Sequence, residues 1–288
     1  MSHLVVHLQK ETNKVDQNLV VLDGSFTAQN AARLAVQIAS VEQQTIKGLY
    51  IVDESLVLDP YATYREELGR NDLPYSREQR TEWFEEVGSI ILNQLEQLCV
   101  ENGIPVETQI LFGGVPELIL DNTVRAQMLS LGRRGKRHAS APEQLGSNFR
   151  HIAHHAPIPL LVGGEIYGPV NHLFLLYDGS PHFDLALDWA VRLQHSLSAD
   201  VTVSAMDQAD PKGFSTEIGE QISQHGLIDY HQRSLHDESI PGILEVIKEC
   251  ETDLILIGGY HHPEILEWLV GGSLDQILRQ SQLPVLIA

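Results

Sequence analysis

Cysteine is nearly absent: Cys99 and Cys250 are the only two in 288 residues, too few for a disulfide framework. Both fall late in apolar helical patterns, which fits reduced, buried thiols of a cytoplasmic protein. Positive charge is scarce as well. Nineteen Lys and Arg stand against 39 Asp and Glu, a net charge of −20, which repels a phosphate backbone at long range and argues against nucleic acid as a partner. No apolar run approaches the ~20 residues that span a bilayer, the best being Leu173–Tyr177 and Leu254–Ile257. The opening MSHLVVHLQKETNK lacks a basic segment followed by an apolar stretch, so neither a secretion signal nor a membrane anchor is expected. The HExxH, GxSxG and GxxxxGK[ST] patterns are missing. So is an SGGxDS-type pyrophosphatase loop, which argues against nucleotide-activating ligases and sulfurtransferases. What remains is 43% hydrophobic and 20% charged, a globular composition long enough for two domains or one large one.

An internal repeat organises the chain. Leu19-Val20-Val21-Leu22-Asp23-Gly24-Ser25 reads like Phe174-Leu175-Leu176-Tyr177-Asp178-Gly179-Ser180, the Asp residues lying 155 positions apart. Leu129–Gly132 reads like Ile255–Gly258, and Pro159–Val162 like Pro284–Ile287, at offsets of 126 and 125. Three matches in one order indicate a duplicated domain, whose first copy carries about 30 extra residues. The predicted domains are 18–163, with an insertion at about 54–82, and 172–288. The Gly/Pro-containing stretch Gly163–His172 is the linker. The insertion reads as a solvated excursion with a short helix, or as a lid or partner-contact surface. Residues 1–17 read as a flexible tail or as an edge strand around Leu4–Leu8.

Each copy alternates short apolar strands with helices. Leu19–Leu22 ends in Asp-Gly-Ser, and Ala28, Ala31, Ala32, Ala35 and Ala39 form a buried helical stripe. Ile46–Val52 follows. Phe84, Val87, Ile91, Leu95 and Leu98 then mark a long helix stopped by Gly103, before the strand Val106–Phe112. A short helix opens at Pro116, the next strand is Met128–Leu131, and the last helix starts at Ser147. This pattern predicts an α/β fold with a parallel sheet covered on both faces, and ligands at the carboxyl ends of the strands.

The main chemical signal follows the fourth strand. Gly132-Arg133-Arg134-Gly135 is separated by ten residues from Gly146-Ser147-Asn148. Glycines allow close backbone approach to phosphate, and a helix opening at Ser147 offers unpaired N–H groups. Arg133, Arg134, Lys136 and Arg137 add positive charge, as an anionic ligand requires; a tight turn with a helix cap explains the glycines equally well. In the second copy, Gly258-Gly259-Tyr260-His261 precedes Gly271-Gly272-Ser273. There His261 replaces the second glycine, and the hydroxyl falls one residue late. His151, His154 and His155 share a helical face, read as solvated rather than metal-binding.

Strand–Asp-Gly-Ser–helix, a G-x-x-G loop before Gly-Ser, and a closing Pro-Leu-Leu-Val strand resemble the universal stress protein family in its tandem form. The resemblance implies two open-sheet domains of the adenine-nucleotide alpha hydrolase-like type, each with a five-stranded parallel sheet and helices on both faces. It implies an ATP or AMP site, with or without magnesium, in the first copy: Asp23 at the ribose and base, the Ile51 backbone at the adenine edge, and Gly132, Gly135, Gly146, Ser147 and Asn148 around the phosphates. A weaker second site would use Asp178, Ala205, Gly258, Gly271, Gly272 and Ser273. The expected function is a cytoplasmic nucleotide-binding stress-response regulator, without catalytic residues or metal ligands and at most a weak ATPase. It would act on an unidentified protein partner, as an internal pseudo-dimer, alone or as a homodimer. A non-nucleotide-binding interaction protein of the same fold and a slow ATP hydrolase are the alternatives.

Overall fold

The computed structural model describes residues 17–54, 57, 76–134, 145–177, 183–205, 216–235, 237, 239–258 and 273–288, with the backbone alone at 147, 216, 217 and 273. In the first copy the order is β1 (Gln17–Val21), α1 (Phe26–Glu42), β2 (Thr45–Asp53), α2 (Arg77–Glu101), β3 (Val106–Gly113), α3 (Val115–Asp121), a 3-10 turn (Asn122–Arg125), β4 (Ala126–Gly132), α4 (Ser147–His155) and β5 (Leu160–Gly163). The second copy gives β6 (His172–Tyr177), α5 (Phe183–Leu197), β7 (Asp200–Ala205), α6 (Thr216–Gln224), β8 (Tyr230–Ser234), α7 (Ile240–Glu249), β9 (Leu254–Ile257), α8 (Ser273–Gln280) and β10 (Val285–Ile287).

Local sequence explains the element ends. Ser25 caps α1, its Oγ accepting from Ala28 N at 3.3 Å. Helix α2 opens on a capping box: Ser76 Oγ accepts from Gln79 N, and Gln79 Oε1 accepts from Ser76 N. The helix therefore reaches back into the segment expected to be an excursion over 54–82. The remainder of that segment, 58–75, lies outside the described residues, as does the possible edge strand at Leu4–Leu8. Gly103, with φ +68°, ends α2 as expected.

The strands among the described residues join one ten-stranded sheet in the order β3-β2-β1-β4-β5-β10-β9-β6-β7-β8. Within each copy the neighbours are parallel, as the buried apolar strands required. The two halves meet where β5 and β10 pair antiparallel, Val162 with Val285 and Leu160 with Ile287. The expected pair of five-stranded sheets is thus continuous, and neither terminal strand is left as an open edge. Alternation along the strands feeds two cores. Val20, Ile46 and Leu173 pack with α1, α2, α5 and α6 on one face. Leu19, Leu129 and Phe174 pack with α3, α4, α7 and α8 on the other.

Polar contacts reinforce the junction. Arg192 on α5 makes a bidentate pair with Glu42 on α1, at 2.7 and 2.6 Å, and stacks on Trp189. Ile166 N donates to Gln282 O at 3.0 Å. Gly164 lies so close to the 282–284 turn that a Cβ there would come within 2.4 Å of Gln282 O.

Candidate ligand site at the carboxyl ends of the strands

In the first copy the strand order reverses between β1 and β4, which puts a crevice at their carboxyl ends. Asp23, Gly24 and Ser25 leave β1 there. Gly24 takes φ +77°, and the Asp23 carboxylate accepts from Ser25 N at 2.8 Å. Asp23 thereby fixes its own turn. Tyr50 lies near its charge, and its phenol is pushed above the usual value, first by burial and then by Asp23. Strand β2 outruns β1. Leu49 O accepts from Leu22 N at 2.9 Å, the last β1–β2 bond. Backbone alternation turns the Ile51 amide and carbonyl to the same side, past the end of β1.

Gly132 closes β4 directly under the first turn of α1. A Cβ there would lie 2.8 Å from Ala28 N and from Thr27 Oγ1, so this position is glycine for close helix packing whether or not a ligand is present. Arg133 O accepts from Gly146 N at 3.2 Å. That bond closes the long loop and brings Gly132 and the start of α4 together. Gly146 is the N-cap of α4 and supplies no side chain to its amides; Ser147 begins the helix, and Asn148 is exposed. Gly135 lies outside the described residues.

The basic run does not serve one purpose. Arg133 was expected to put charge beside a ligand, but its side chain is fully buried. Its Nε donates to Gly163 O at 2.9 Å, Nη1 to Leu278 O at 2.8 Å and to Ser281 O, and Nη2 to Leu283 O at 2.6 Å. Burial pushes the guanidinium down to about 10, Arg134 adds to the shift and Glu165 opposes it, so the group stays charged at neutral pH. Arg134 is mostly buried, 3.7 Å from Glu165. Its Nε and that of Arg150, in the first turn of α4, are buried without an acceptor.

In the second copy the corresponding crevice lies between β6 and β9. Ala205 ends β7, paired with Tyr177 and Ser234, and Gly258 follows β9 in a buried position. Ser273 begins α8, while Asp178, Gly271 and Gly272 lie outside the described residues. Asp275 occupies the position of Arg150 at the repeat offset of 125. It is 2% exposed; Oδ2 is 2.7 Å from Arg279 Nε, and Oδ1 has no donor. The two copies therefore carry opposite charge at the head of their last helix. Comparing Arg150 with Asp275 along the repeat would have found this; nothing in the sequence marks which arginine of the pair 133–134 turns inward.

The histidines of α4 do share an exposed face, the rings of His151 and His155 stacking at 4.3 Å. Among the described residues no group of three His, Cys, Asp or Glu is arranged to hold a metal ion. No described helix is long and apolar enough to cross a membrane. An open cleft of about 410 Å³ runs between α1 and α2, lined by Leu22, Arg33, Ile91, Leu95 and Glu101 among others.

A duplicated α/β half with its crevice at β1 and β4, a glycine loop closed onto the last helix, and terminal strands paired across the duplication define a class that the comparisons identify. The chain belongs to the universal stress protein family, whose model matches residues 16–162 and 170–288. It is 26% identical over 289 residues to universal stress protein Slr1230 of Synechocystis sp., covering 93% of this chain and 98% of that one. Its fold is similar to that of a universal stress protein from Archaeoglobus fulgidus DSM 4304, with TM-score 0.72, 15% identity, and 95% and 96% of the two chains covered. A functionally unknown protein, PA1789 of Pseudomonas aeruginosa PAO1, aligns with TM-score 0.63 at 15% identity over 95% and 92% of the chains.

Proposed function

We propose that the protein is a cytoplasmic regulator that binds an adenine nucleotide, ATP or AMP, mainly in its first copy (18–163), with the second copy (172–288) the weaker site. The carrying observation is the Arg133 O to Gly146 N bond. It brings Gly132 and the head of α4 together, and Arg134 and Arg150, each close in the chain to one of these, have buried Nε atoms without acceptors. An anion at the head of α4 would meet backbone N–H groups next to Arg150, with Arg134 shared with Glu165, despite the net charge of −20. Ile51, with backbone groups beyond the end of β1, suits the edge of a base. In the second copy Asp275, paired with Arg279, puts a buried carboxylate where the first copy has Arg150, which suits a phosphate less well. Magnesium would accompany ATP through the phosphates. The bound state would be passed to a protein partner, and no group is assigned to bond cleavage.

Nucleotide released on denaturing freshly purified protein, read by chromatography, is expected to be ATP or AMP. Calorimetry on the full chain then assigns the copy. Charge-assisted backbone bonds are worth about 1.5–3 kcal/mol each, so Gly146→Val should weaken ATP at least about tenfold. Gly271→Val should change little. Full affinity in Gly146→Val, or loss only in Gly271→Val, reverses the assignment. One observation favours a second reading, an interaction protein without nucleotide: Asp23 and Arg133 are both committed to internal bonds. Purified protein with nothing bound and no heat on titration would support it.

A further inference from the structure

Arg133 joins parts of the molecule that the chain keeps far apart. Its carbonyl holds Gly146 at the start of α4, and so closes the first copy's loop. Its guanidinium, with four of its five N–H groups engaged on main-chain carbonyls, grips Gly163 at the end of β5 and residues 278, 281 and 283 around the end of α8. Those last carbonyls have no helical partners of their own, and a cation suits a helix C-terminus. Arg133 is therefore tied from one side to the head of α4 and from the other to the second copy. The tie is not returned. At the repeat offset of 126, the second copy carries Gly259 where the first has Arg133, and a glycine has no side chain to reach back.

We propose that Arg133 is a positioning residue through which the second copy holds the head of α4, residues 145–150 of the first copy, in its binding geometry. The proposal rests on the nucleotide reading for what that segment binds, and on the structure for the tie itself. A single backbone bond such as that between Arg133 O and Gly146 N is by itself a weak hold on the head of α4. Fixing the same residue by its side chain to a helix packed in another half strengthens that hold, and makes disturbance of α8 a disturbance of the head of α4. The cross-copy ion pair of Arg192 with Glu42 joins α5 to α1, and among the described residues it has no bond to Arg133 or to the head of α4.

The test uses the full chain and two measurements. Hydrogen exchange without ligand is compared in wild type, Arg133→Lys, Gly164→Ala and Arg192→Gln. Lysine keeps the charge but cannot span four carbonyls. Arg133→Lys should speed exchange in both 145–150 and 278–283. Gly164→Ala leaves Arg133 in place but pushes on the 282–284 turn, and should speed the same two segments. Arg192→Gln should leave 145–150 unchanged. A change confined to one segment in Arg133→Lys, no change in either, or the same pattern from Arg192→Gln overturns the proposal. ATP titration forms the second arm. The coupling is expected to weaken binding at least about fivefold in Arg133→Lys. Equal affinity overturns the proposal. If wild type takes up no ATP or AMP, the nucleotide reading fails by itself, and the exchange arm still decides whether Arg133 ties the head of α4 to α8.

Discussion

At the scale of single residues, the two adjacent arginines show what a sequence hides. Arg133 and Arg134 are identical in composition, yet one lies at 0% exposure, bonded across the duplication, and the other pairs with Glu165. Which one turns inward depends on where β4 ends against β5 and α8, a tertiary fact without a local signature. Asp23 and Gly132 could be placed at strand ends from the apolar runs before them, while the turn that Asp23 fixes and the helix that packs on Gly132 are seen only in the fold. His172 offers a prediction at this scale. Its ring is partly buried, its Nε2 lies 2.8 Å from Thr202 Oγ1, and burial is the main cause holding its pKa below the ordinary imidazole value. The native state therefore favours the neutral ring. The stability this contributes is present above the unfolded value of about 6.5 and is lost as pH falls through the lower folded value. His172→Gln should accordingly show a smaller drop in Tm than wild type when pH is lowered from about 7 to 5. An identical drop in both proteins would count against it.

At the scale of elements, the central strands and the helices beside them were readable because apolar strands buried on both faces leave a continuous signal, whereas the polar edge strand β8, YHQRS, carries none. The start of α2 was not placed correctly from its apolar stripe, since that stripe begins only near Phe84. The capping box at Ser76 and Gln79 was the available mark. Removing it is a clean measurement. Ser76→Ala should lower stability by about 1 kcal/mol, the usual worth of an N-cap, with an unchanged denaturant slope. Arg77, the next residue, lies 3.9 Å from Glu54 just past the end of β2, so nucleotide affinity measured on the same variant reports whether this helix start reaches the ligand crevice. Loss of affinity would mean that α2 bears on the site.

At the scale of the whole molecule, the duplication was plain from three ordered repeats, whereas the continuity of the sheet was not. Two copies with apolar last strands are compatible with several packings, and the antiparallel register of Val162 with Val285 is fixed by how the halves meet. The linker around Gly163–His172 has exposed side chains at Ile166 and Tyr167 and crosses between the halves. Protease nicking there should leave two fragments that co-elute in native size exclusion, held by β5–β10, by Arg133 and by the Arg192–Glu42 pair. Free separation of the fragments would show that these contacts do not suffice.

The pairing of β5 with β10 also bears on how the chain reaches its final state. The β1–β4 pairing, Leu19 with Leu129, already spans more than a hundred positions; what sets β5–β10 apart is that it joins two copies whose other strand pairings are all internal to one copy. Each copy can pair its own strands before the two copies meet, so a half-structured species presents the β5 edge before β10 is joined to it. A β10 from another molecule offers the same three residues in the same direction. Refolding from denaturant at increasing protein concentration should therefore divert a growing share into strand-exchanged dimers, detected by size exclusion, whereas dilute refolding should recover the starting species. Dimers formed this way should persist on dilution, because leaving one requires opening the middle of a ten-stranded sheet.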